Sequence, residues 1–324
     1  MRNAGRAGRH RLLPWIALMT IVLTSAASAE TNVGAAPASL LAAAKSWGYQ
    51  LQKIRPASIA GIPYDVFVID YSSDGTDAQA FSKADIASLK RKPDGARRIV
   101  LAYLSIGEAE TYRYYWQPQW ETSPPAWAGE TNKRYRSNIV VRYWDEDWQS
   151  IIFRGDNNYL DRILAAGFDG IYLDRVDVHQ ELEQEHPNAG EEMISFVKEL
   201  AAHARSKQPG FLVVPQNAEE LLVRADYREV IDGIAKEDLL FGDSRSKHPN
   251  AQNVIDTGVR YLKEMTQDGK PVFVVEYVDK PEQITAARKE IEGYGFIPHF
   301  AKRSLDVMRI GDFLPARQTR PARK

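Results

Sequence analysis

Carboxylate, amide and tyrosine side chains follow most of the short apolar segments of this sequence. The two acids with the clearest settings are Asp174, which comes directly after residues 169–173, and Glu237, which comes directly after residues 233–236. Cleavage of a glycosidic bond needs one carboxylic acid to protonate the leaving oxygen and one carboxylate to attack or to activate water. The pair therefore predicts glycoside hydrolysis, provided that the fold brings the two side chains together.

Ten further residues at or near the ends of the apolar segments are candidates for substrate binding. They are Asp70, Tyr71, Tyr103, Glu108, Asp177, Gln216, Asn217, Glu276, Tyr277 and His299. A single Asp or Asn at such a place is more often a helix cap or a loop start, but the recurrence of the pattern favours a binding site. We expect the three tyrosines to stack on or hydrogen-bond a sugar ring. The two neighbouring amides would hold sugar hydroxyls or orient Glu237.

Other chemistries lack the residues that they need. The sequence has no cysteine and its six histidines are scattered, so a metal site built on the usual His and Cys spacing is not expected. There is no G-x-S-x-G nucleophile motif and no glycine-rich phosphate loop after a strand. We therefore predict an enzyme that uses neither a metal nor a nucleotide cofactor.

Eight short apolar segments alternate with amphipathic stretches along the chain. They lack strict alternation, which is typical of strands buried on both faces of a parallel sheet. They span residues 47–51, 66–70, 99–104, 170–173, 212–215, 233–235, 272–275 and 296–298. Helices are predicted over residues 83–90, 157–166, 189–206, 218–225, 251–267 and 281–292. Eight strands with intervening helices predict an α/β fold, a single-domain (β/α)8 TIM barrel with its active site at the C-terminal strand ends.

One connection, between the third and fourth predicted strands, is far longer than a usual βα unit. This excursion, residues 105–169, holds five of the seven tryptophans of the chain. They are Trp116, Trp120, Trp127, Trp144 and Trp148. Two interpretations stay open: the rings form a satellite core, or together they wall a sugar-binding cleft, because aromatic faces stack on sugar rings.

The N-terminus has the features of an export signal. Four arginines precede an apolar run at residues 12–23, and the small residues Ala27, Ser28 and Ala29 follow it. This order predicts a cleaved signal peptide, and the run is short for a membrane-spanning helix. The chain would then divide into a signal peptide at 1–29, a linker at 30–44, the barrel domain at 45–312 and a flexible basic tail at 313–324. We expect a periplasmic or extracellular protein without stable membrane insertion.

The charge of the chain bears on its partners. The full sequence has a formal charge of −1, and removal of the four arginines of the signal peptide leaves it near −5. An acidic protein is poorly suited to nucleic acid or to an anionic membrane. A neutral or cationic ligand fits better.

Five motifs give the sequence a family resemblance. They are residues 105–110 followed by Tyr112, Tyr115 and Trp116; residues 167–174; residues 215–217; residues 237–239; and residues 275–277. In this order, and over about residues 47–310, the chain resembles the endo-α-1,4-polygalactosaminidase family, glycoside hydrolase family 114. The resemblance implies a (β/α)8 barrel, with Asp174 at the end of strand four as nucleophile and Glu237 at the end of strand six as acid/base.

The resemblance also implies a substrate, a polymer of α-1,4-linked galactosamine whose free amines make it cationic. Acids around the site would attract such a chain: Asp70, Glu108, Asp177, Asp238, Glu276 and Asp279. Alternatively, several of these acids pair with Arg175, Lys236 or Arg303 and leave no net field. The expected action is endo and retaining, with the catalytic carboxyl groups about 5 to 5.5 Å apart. The alternatives are a barrel glycosidase acting on another α-linked glycan and a non-catalytic polysaccharide-binding barrel.

Overall fold

The computed structural model describes residues 35–242 and 248–308, together with Met1. Its strands, in chain order, are β1 (Trp47–Gln50), β2 (Val66–Ile69), β3 (Ile99–Ser105), β4 (Glu108–Glu110), β5 (Ala128–Thr131), β6 (Asn138–Val141), β7 (Gly170–Asp174), β8 (Leu212–Pro215), β9 (Ile234–Glu237), β10 (Val272–Glu276) and β11 (Ile297–Phe300). Eight of them, all except β4, β5 and β6, are parallel and lie at the eight predicted segments.

The eight parallel strands form two hydrogen-bonded sheets arranged as a barrel. One sheet has the order β1-β2-β3-β7-β8 and the other β11-β10-β9. The first seam between them, at β8 and β9, is bridged by a parallel pairing of Gln216 with Ala235. At the second seam, between β1 and β11, the Trp47 indole N–H donates to the Ile297 carbonyl at 3.0 Å. The predicted TIM-barrel fold is confirmed, although its hydrogen-bond ladder is not continuous at the seams.

Within the described residues, ten α-helices surround or connect the strands. They are α1 (Pro37–Ala42), α2 (Pro56–Ile59), α3 (Lys83–Leu89), α4 (Glu146–Gln149), α5 (Tyr159–Ala166), α6 (Val178–Leu182), α7 (Ala189–Lys207), α8 (Ala225–Val230), α9 (Gln252–Gln267) and α10 (Pro281–Gly293). Local sequence explains several ends: Ser82 and Asp85 form a reciprocal capping box at α3, and Gly167 ends α5 in the left-handed conformation at φ 83°.

The strands bury both of their faces, as the apolar segments predict. Side chains at alternate positions point into the barrel, for example Val66 and Val68 of β2, and form one core. The intervening positions, such as Phe67 and Ile69, point outward and pack against the helices in a second, larger core. This alternation of period two decides which residues near a strand end can face the mouth of the barrel.

The excursion between β3 and β7 forms a small antiparallel sheet of its own, in the order β4-β6-β5. Its tryptophans belong to the core. The rings of Trp116, Trp120, Trp127 and Trp148 follow one another with centroids 5.3, 5.2 and 5.0 Å apart, and Trp144 stacks on His186. None of the five lines the cleft described below. The satellite-core interpretation is therefore confirmed, and a cleft wall made of these tryptophans is wrong.

Two local expectations need correction. The predicted helix over 218–225 is a 3-10 turn at Glu219–Val223, and α8 begins only at Ala225. Part of the predicted linker forms α1, whose Leu41 is buried in the core. The predicted signal peptide and basic tail lie outside the described residues. Across the described part of the chain, every helix is too short or too polar to span a lipid bilayer.

Candidate active site

A cleft of about 780 Å³ opens at the C-terminal ends of the barrel strands. Residues at the ends of β1, β2, β3, β7, β8, β9 and β10 line it, as does the segment after β11. The β4-β6-β5 sheet supplies one wall. This is the position at which barrel enzymes place their active sites.

Asp174 ends β7 and points into the cleft. The Tyr103 hydroxyl donates to its Oδ2 at 2.6 Å, and the Gln216 amide donates to its Oδ1 at 2.9 Å. The backbone N–H of Arg175 donates to the same Oδ1 at 2.8 Å. Burial raises the pKa of Asp174 to about 6, while the hydrogen bond from Tyr103 opposes the rise. The carboxyl group is therefore held in place by three donors.

Glu237 ends β9 and lines the same cleft. The Tyr277 hydroxyl donates to its Oε1, and its backbone N–H donates to the Asn217 side-chain oxygen at 3.1 Å. Burial and, next in size, the negative charge of Asp174 raise the pKa of Glu237 to about 7, while the hydrogen bond from Tyr277 lowers it. Between about pH 6 and 7, ionised Asp174 and protonated Glu237 can therefore coexist.

A residue within two positions of the end of each of three successive barrel strands, β7, β8 and β9, has a left-handed backbone. These are Arg175 at φ 61°, Asn217 at φ 58° and Asp238 at φ 54°. Side chains other than glycine rarely adopt this conformation, with Asn and Asp the least unfavourable. The chain thus turns sharply as β7, β8 and β9 leave the barrel, and Asp174, Gln216 and Glu237 lie in the lining of the cleft.

Glu108 connects the excursion to Arg175, the residue that follows β7. Its two carboxylate oxygens accept from Asn132 at 2.7 Å and from Asn138 at 3.0 Å. Arg175 contacts it at 2.9 Å. Gly107 makes the approach possible, because a Cβ there would lie 2.2 Å from the Arg175 carbonyl oxygen.

A buried cluster of charges underlies the wall near β2. Arg113 is buried and contacts Asp70 at 2.7 Å and Glu110 at 2.6 Å. Asp70 thus lines the cleft as predicted, but both of its oxygens already accept from Arg113. It holds the wall together and is charge-compensated.

Three predicted binding residues do not reach the cleft. Tyr71 and Glu276 lie on the outward side of their strands, one position away from the inward-facing Asp70 and Tyr277. Tyr71 packs edge-on against Tyr159, and Glu276, whose pKa burial raises to about 8, accepts from the Leu240 N–H at 2.7 Å.

His299 faces inward but lies deeper in the barrel, where its ring contacts those of Trp47 and Tyr64 at 5.5 and 5.8 Å. It does not line the cleft. The segment after β11 lines the cleft instead, with Arg303, Ser304 and Leu305.

The remaining predicted residues all line the cleft. They are Tyr103, Glu108, Asp174, Asp177, Gln216, Asn217, Glu237 and Tyr277, together with Asp70. Most of the other lining residues were not predicted from the sequence to line the site, among them Tyr49, Asp74, Tyr112, Asn132, Arg134, Tyr135, Asn138 and Arg303. Tyr49 has the inward parity of β1, which is a usable signal. The residues of the excursion carry no such pattern.

The cleft keeps an excess of acid. Among the described residues that line it, seven are carboxylates and four are cationic. Part of the acid is neutralised, as the alternative interpretation holds: Arg175 contacts Glu108 at 2.9 Å and Asp177 at 3.4 Å, and Arg303 pairs with Asp238. Lys236 pairs instead with Glu219, which does not line the cleft, at 2.9 Å. No cluster of three or more potential metal ligands occurs in the part of the chain that the structure describes.

Comparisons with known proteins agree with this architecture. The chain is 36% identical to the uncharacterized protein MJ1477 of Methanocaldococcus jannaschii over 278 residues, which is 81% of this chain and 77% of that protein. The glycoside hydrolase domain of PelA from Pseudomonas aeruginosa has the same fold, with a TM-score of 0.63 and 19% identity over 82% of this chain and 97% of that domain. Ega3 of Aspergillus fumigatus, in complex with galactosamine, gives 0.58 and 18% over 81% and 93%.

A family model decides between the many functions that barrels support. The model of glycoside-hydrolase family GH114 matches residues 25–312, which is most of the chain. The resemblance seen in the motifs is thereby confirmed. This chain belongs to glycoside-hydrolase family GH114 and is a glycoside hydrolase.

Proposed function

We propose that the protein is an exported, endo-acting and retaining hydrolase of α-1,4-linked galactosamine-containing polysaccharide. The observation that carries the proposal is the pair of cleft carboxyl groups with raised pKa values, about 6 for Asp174 and about 7 for Glu237. Neither forms an ion pair within 4 Å with a described cation, and each accepts from a tyrosine. Near neutral pH one can attack while the other holds a proton.

The first step forms a glycosyl-enzyme bond. An Asp174 carboxylate oxygen attacks the anomeric carbon as the bond from that carbon to the glycosidic oxygen breaks. Its electron pair stays on the departing oxygen, which takes the proton of Glu237. In the second step Glu237, now a base, removes a proton from water, the water oxygen attacks the same carbon, and Asp174 leaves as a carboxylate.

Four neighbours position the two carboxyl groups. Tyr103 and Gln216 each hold one oxygen of Asp174. The Tyr277 hydroxyl donates to a carboxylate oxygen of Glu237, and the Asn217 side-chain oxygen accepts from the Glu237 backbone N–H. Because these contacts occupy only part of the donor and acceptor capacity of the amides and hydroxyls, the same groups can reach sugar hydroxyls in the cleft.

A cationic substrate suits the cleft carboxylates that are not fully neutralised by nearby arginine or lysine side chains. Asp177 lies beside the site with a side chain 29% exposed, and its contacts with Arg175 and Asn217 are long, 3.4 Å each. Asp74 lines the rim and is exposed. Both carboxylates can meet a protonated amine, whereas Glu108 and Glu110 are saturated by their own partners. The likeness to Ega3, crystallised with galactosamine, supports the same class of ligand.

The reaction is tested with the mature chain on an α-1,4-linked galactosamine polymer. We expect new reducing ends, oligomeric products from internal cleavage, and an initial product with the α configuration by proton NMR. An initial β product would contradict retention, and release of single sugars only would contradict endo action. Cleavage of another α-linked glycan in preference would change the substrate, while binding without cleavage would favour the non-catalytic barrel.

Export is tested separately. Expressed with its full N-terminus, the protein should be recovered outside the cytoplasm with Glu30 as its first residue, as read by mass spectrometry. Cytoplasmic recovery with residues 1–29 still attached would contradict export and leave the proposed reaction unaffected.

A further inference from the structure

Among the phenylalanine, tyrosine and tryptophan residues within 35–242 and 248–308, only two are exposed by 36% or more. Tyr112 is 40% exposed and Tyr135 is 47% exposed. Both belong to the excursion, and both line the cleft. An exposed aromatic ring costs hydration free energy, so its concentration at one concave site points to a ligand that covers it.

Tyr112 is held rigidly beside the buried charges. Its hydroxyl donates to Glu110, and the Arg113 guanidinium lies 5.0 Å from the ring centroid. Gly75 supplies room for the ring, because a Cβ there would lie 2.5 Å from the Tyr112 Cε2 atom. A ring with fixed orientation loses little conformational entropy when a ligand stacks on it.

Tyr135 lies in the turn between β5 and β6. Its N–H donates to the Asn132 side chain at 3.1 Å, and the Arg134 guanidinium lies 5.5 Å from its ring centroid. Asn132 is in turn fixed by Glu108, which contacts Arg175 next to the catalytic strand end. The turn that presents Tyr135 is therefore tied to the same segment that presents Asp174.

We propose that Tyr112 and Tyr135 are stacking platforms for sugar rings outside the cleaved linkage, and that the excursion is a polymer-binding wall. The inference rests on the proposed function and adds an extended binding site to it. Neither ring hydrogen-bonds Asp174 or Glu237. The apolar C–H face of a pyranose matches the face of a tyrosine, and a protonated amine on that sugar adds attraction to the ring.

If the wall binds sugars outside the cleaved linkage, the effect of removing its tyrosines on KM should depend on the length of the oligosaccharide. We measure kcat and KM for galactosamine oligomers of about three sugars, about twelve sugars and polymer length. For Tyr135→Ala, KM should rise about two- to tenfold on the long substrates, with a smaller change on the trimer. Tyr135→Phe keeps the ring and should restore the wild-type KM. The same contrast is expected between Tyr112→Leu and Tyr112→Phe.

Tyr261→Ala is the matched control. Tyr261 is a tyrosine outside the cleft that also follows an arginine, with the Arg260 guanidinium 4.9 Å from its ring centroid. It should leave the length dependence unchanged. Equal changes on short and long substrates for Tyr135→Ala, no change on either, or the same change for Tyr261→Ala would overturn the inference.

A binding measurement separates this inference from the proposed reaction. Affinity electrophoresis in gels containing galactosamine polymer compares Asp174→Asn with Asp174→Asn carrying Tyr135→Ala. If Tyr135→Ala weakens the retardation, the polymer-binding wall is supported. This holds even if the wild type releases no reducing ends, in which case only the proposed reaction is wrong. Absence of retardation in both overturns the wall, whatever the wild type cleaves.

Discussion

Two groups of carboxylates line the same cleft but differ in the charge of the groups that contact them. Asp174 and Glu237 accept hydrogen bonds from neutral tyrosine hydroxyls. Asp70 and Glu110, on the side of β2 and β4, share the buried guanidinium of Arg113. The residue types and the strand-end positions are alike, so the difference arises from the partner that each acid has been given.

The difference teaches how a barrel mouth separates structural acids from reactive ones. An acid that contacts a buried cation forms an ion pair and helps to hold the wall together. An acid that is buried among neutral donors retains a proton to higher pH, at a cost in stability, and can exchange it during a reaction. The comparison makes predictions of opposite sign for the two groups.

The largest effect is expected on turnover. Asp174→Asn and Glu237→Gln should each reduce kcat by about 10³-fold or more, because in the proposed reaction each removes a group that forms or breaks bonds in the transition state. Rates are measured by reducing-end release. Glu199→Gln, an exposed acid of α7 paired with Arg154, is the control and should keep the wild-type rate. A comparable loss of kcat in Glu199→Gln would show that Asp174 and Glu237 are no more important for turnover than an exposed surface acid.

Arg113→Met tests the other group through stability. The substitution leaves two buried carboxylates without their cation, so the free energy of unfolding at pH 7 should fall by about 3–5 kcal/mol. Urea denaturation measures it. The matched control is Arg154→Met, which breaks an exposed pair with Glu199 and should cost less than about 1 kcal/mol. Similar losses for both arginines would contradict the assigned difference.

Glu237→Gln should stabilise the fold while it abolishes the reaction. The folded protein keeps the Glu237 proton until about pH 7, whereas an unfolded glutamate releases it near pH 4.3. Stability is therefore lost as pH rises through this window. The amide has no proton to lose, and at pH 8 we expect a gain on the order of 1–3 kcal/mol that is absent at pH 4. A net loss at pH 8 would show that Glu237 is compensated after all.

The smallest expected effect is a displacement of the pH profile. With Asp174 ionised and Glu237 protonated, kcat/KM should follow a bell with limbs near pH 6 and 7. Tyr103→Phe removes a donor that lowers the pKa of Asp174, so the acid limb should move up by less than about one pH unit. Tyr277→Phe should move the alkaline limb up in the same way. A shift of the alkaline limb in Tyr103→Phe, or of the acid limb in Tyr277→Phe, would contradict the pairing of each tyrosine with its carboxyl group.

The barrel fold and the residues at its C-terminal strand ends could be predicted from the sequence because they follow periodic patterns. Asp174 and Glu237 lie at inward positions of β7 and β9, two residues beyond the inward-facing Tyr172 and Ala235. The same parity would have excluded Tyr71 and Glu276, which follow outward-facing Ile69 and Val274. Strand depth, which places His299 below the cleft, has no local signal.

The wall made by the excursion could not be predicted in this way. Strands β4 (EAE) and β5 (AGET) lack the apolar run that marks the barrel strands, several of which are equally short. Their arrangement depends on contacts over long sequence separations, such as those of Asn132 and Asn138 with Glu108. The five tryptophans of the excursion suggested stacking on sugar rings, but they pack in the core. The aromatic residues of the excursion that face the cleft are instead the tyrosines Tyr112 and Tyr135.

The seam between β8 and β9 gives the site a mechanical property. Asp174 belongs to the five-stranded sheet and Glu237 to the three-stranded one, so the gap between the two carboxyl groups is not spanned by a continuous ladder. Asn217 joins the halves, donating from its N–H to Ala235 at 2.9 Å and accepting from the Glu237 N–H. A shift of the two sheets along this seam would change the spacing of the Asp174 and Glu237 carboxyl groups, and amide hydrogen exchange at Glu237 measures how firmly the seam is held.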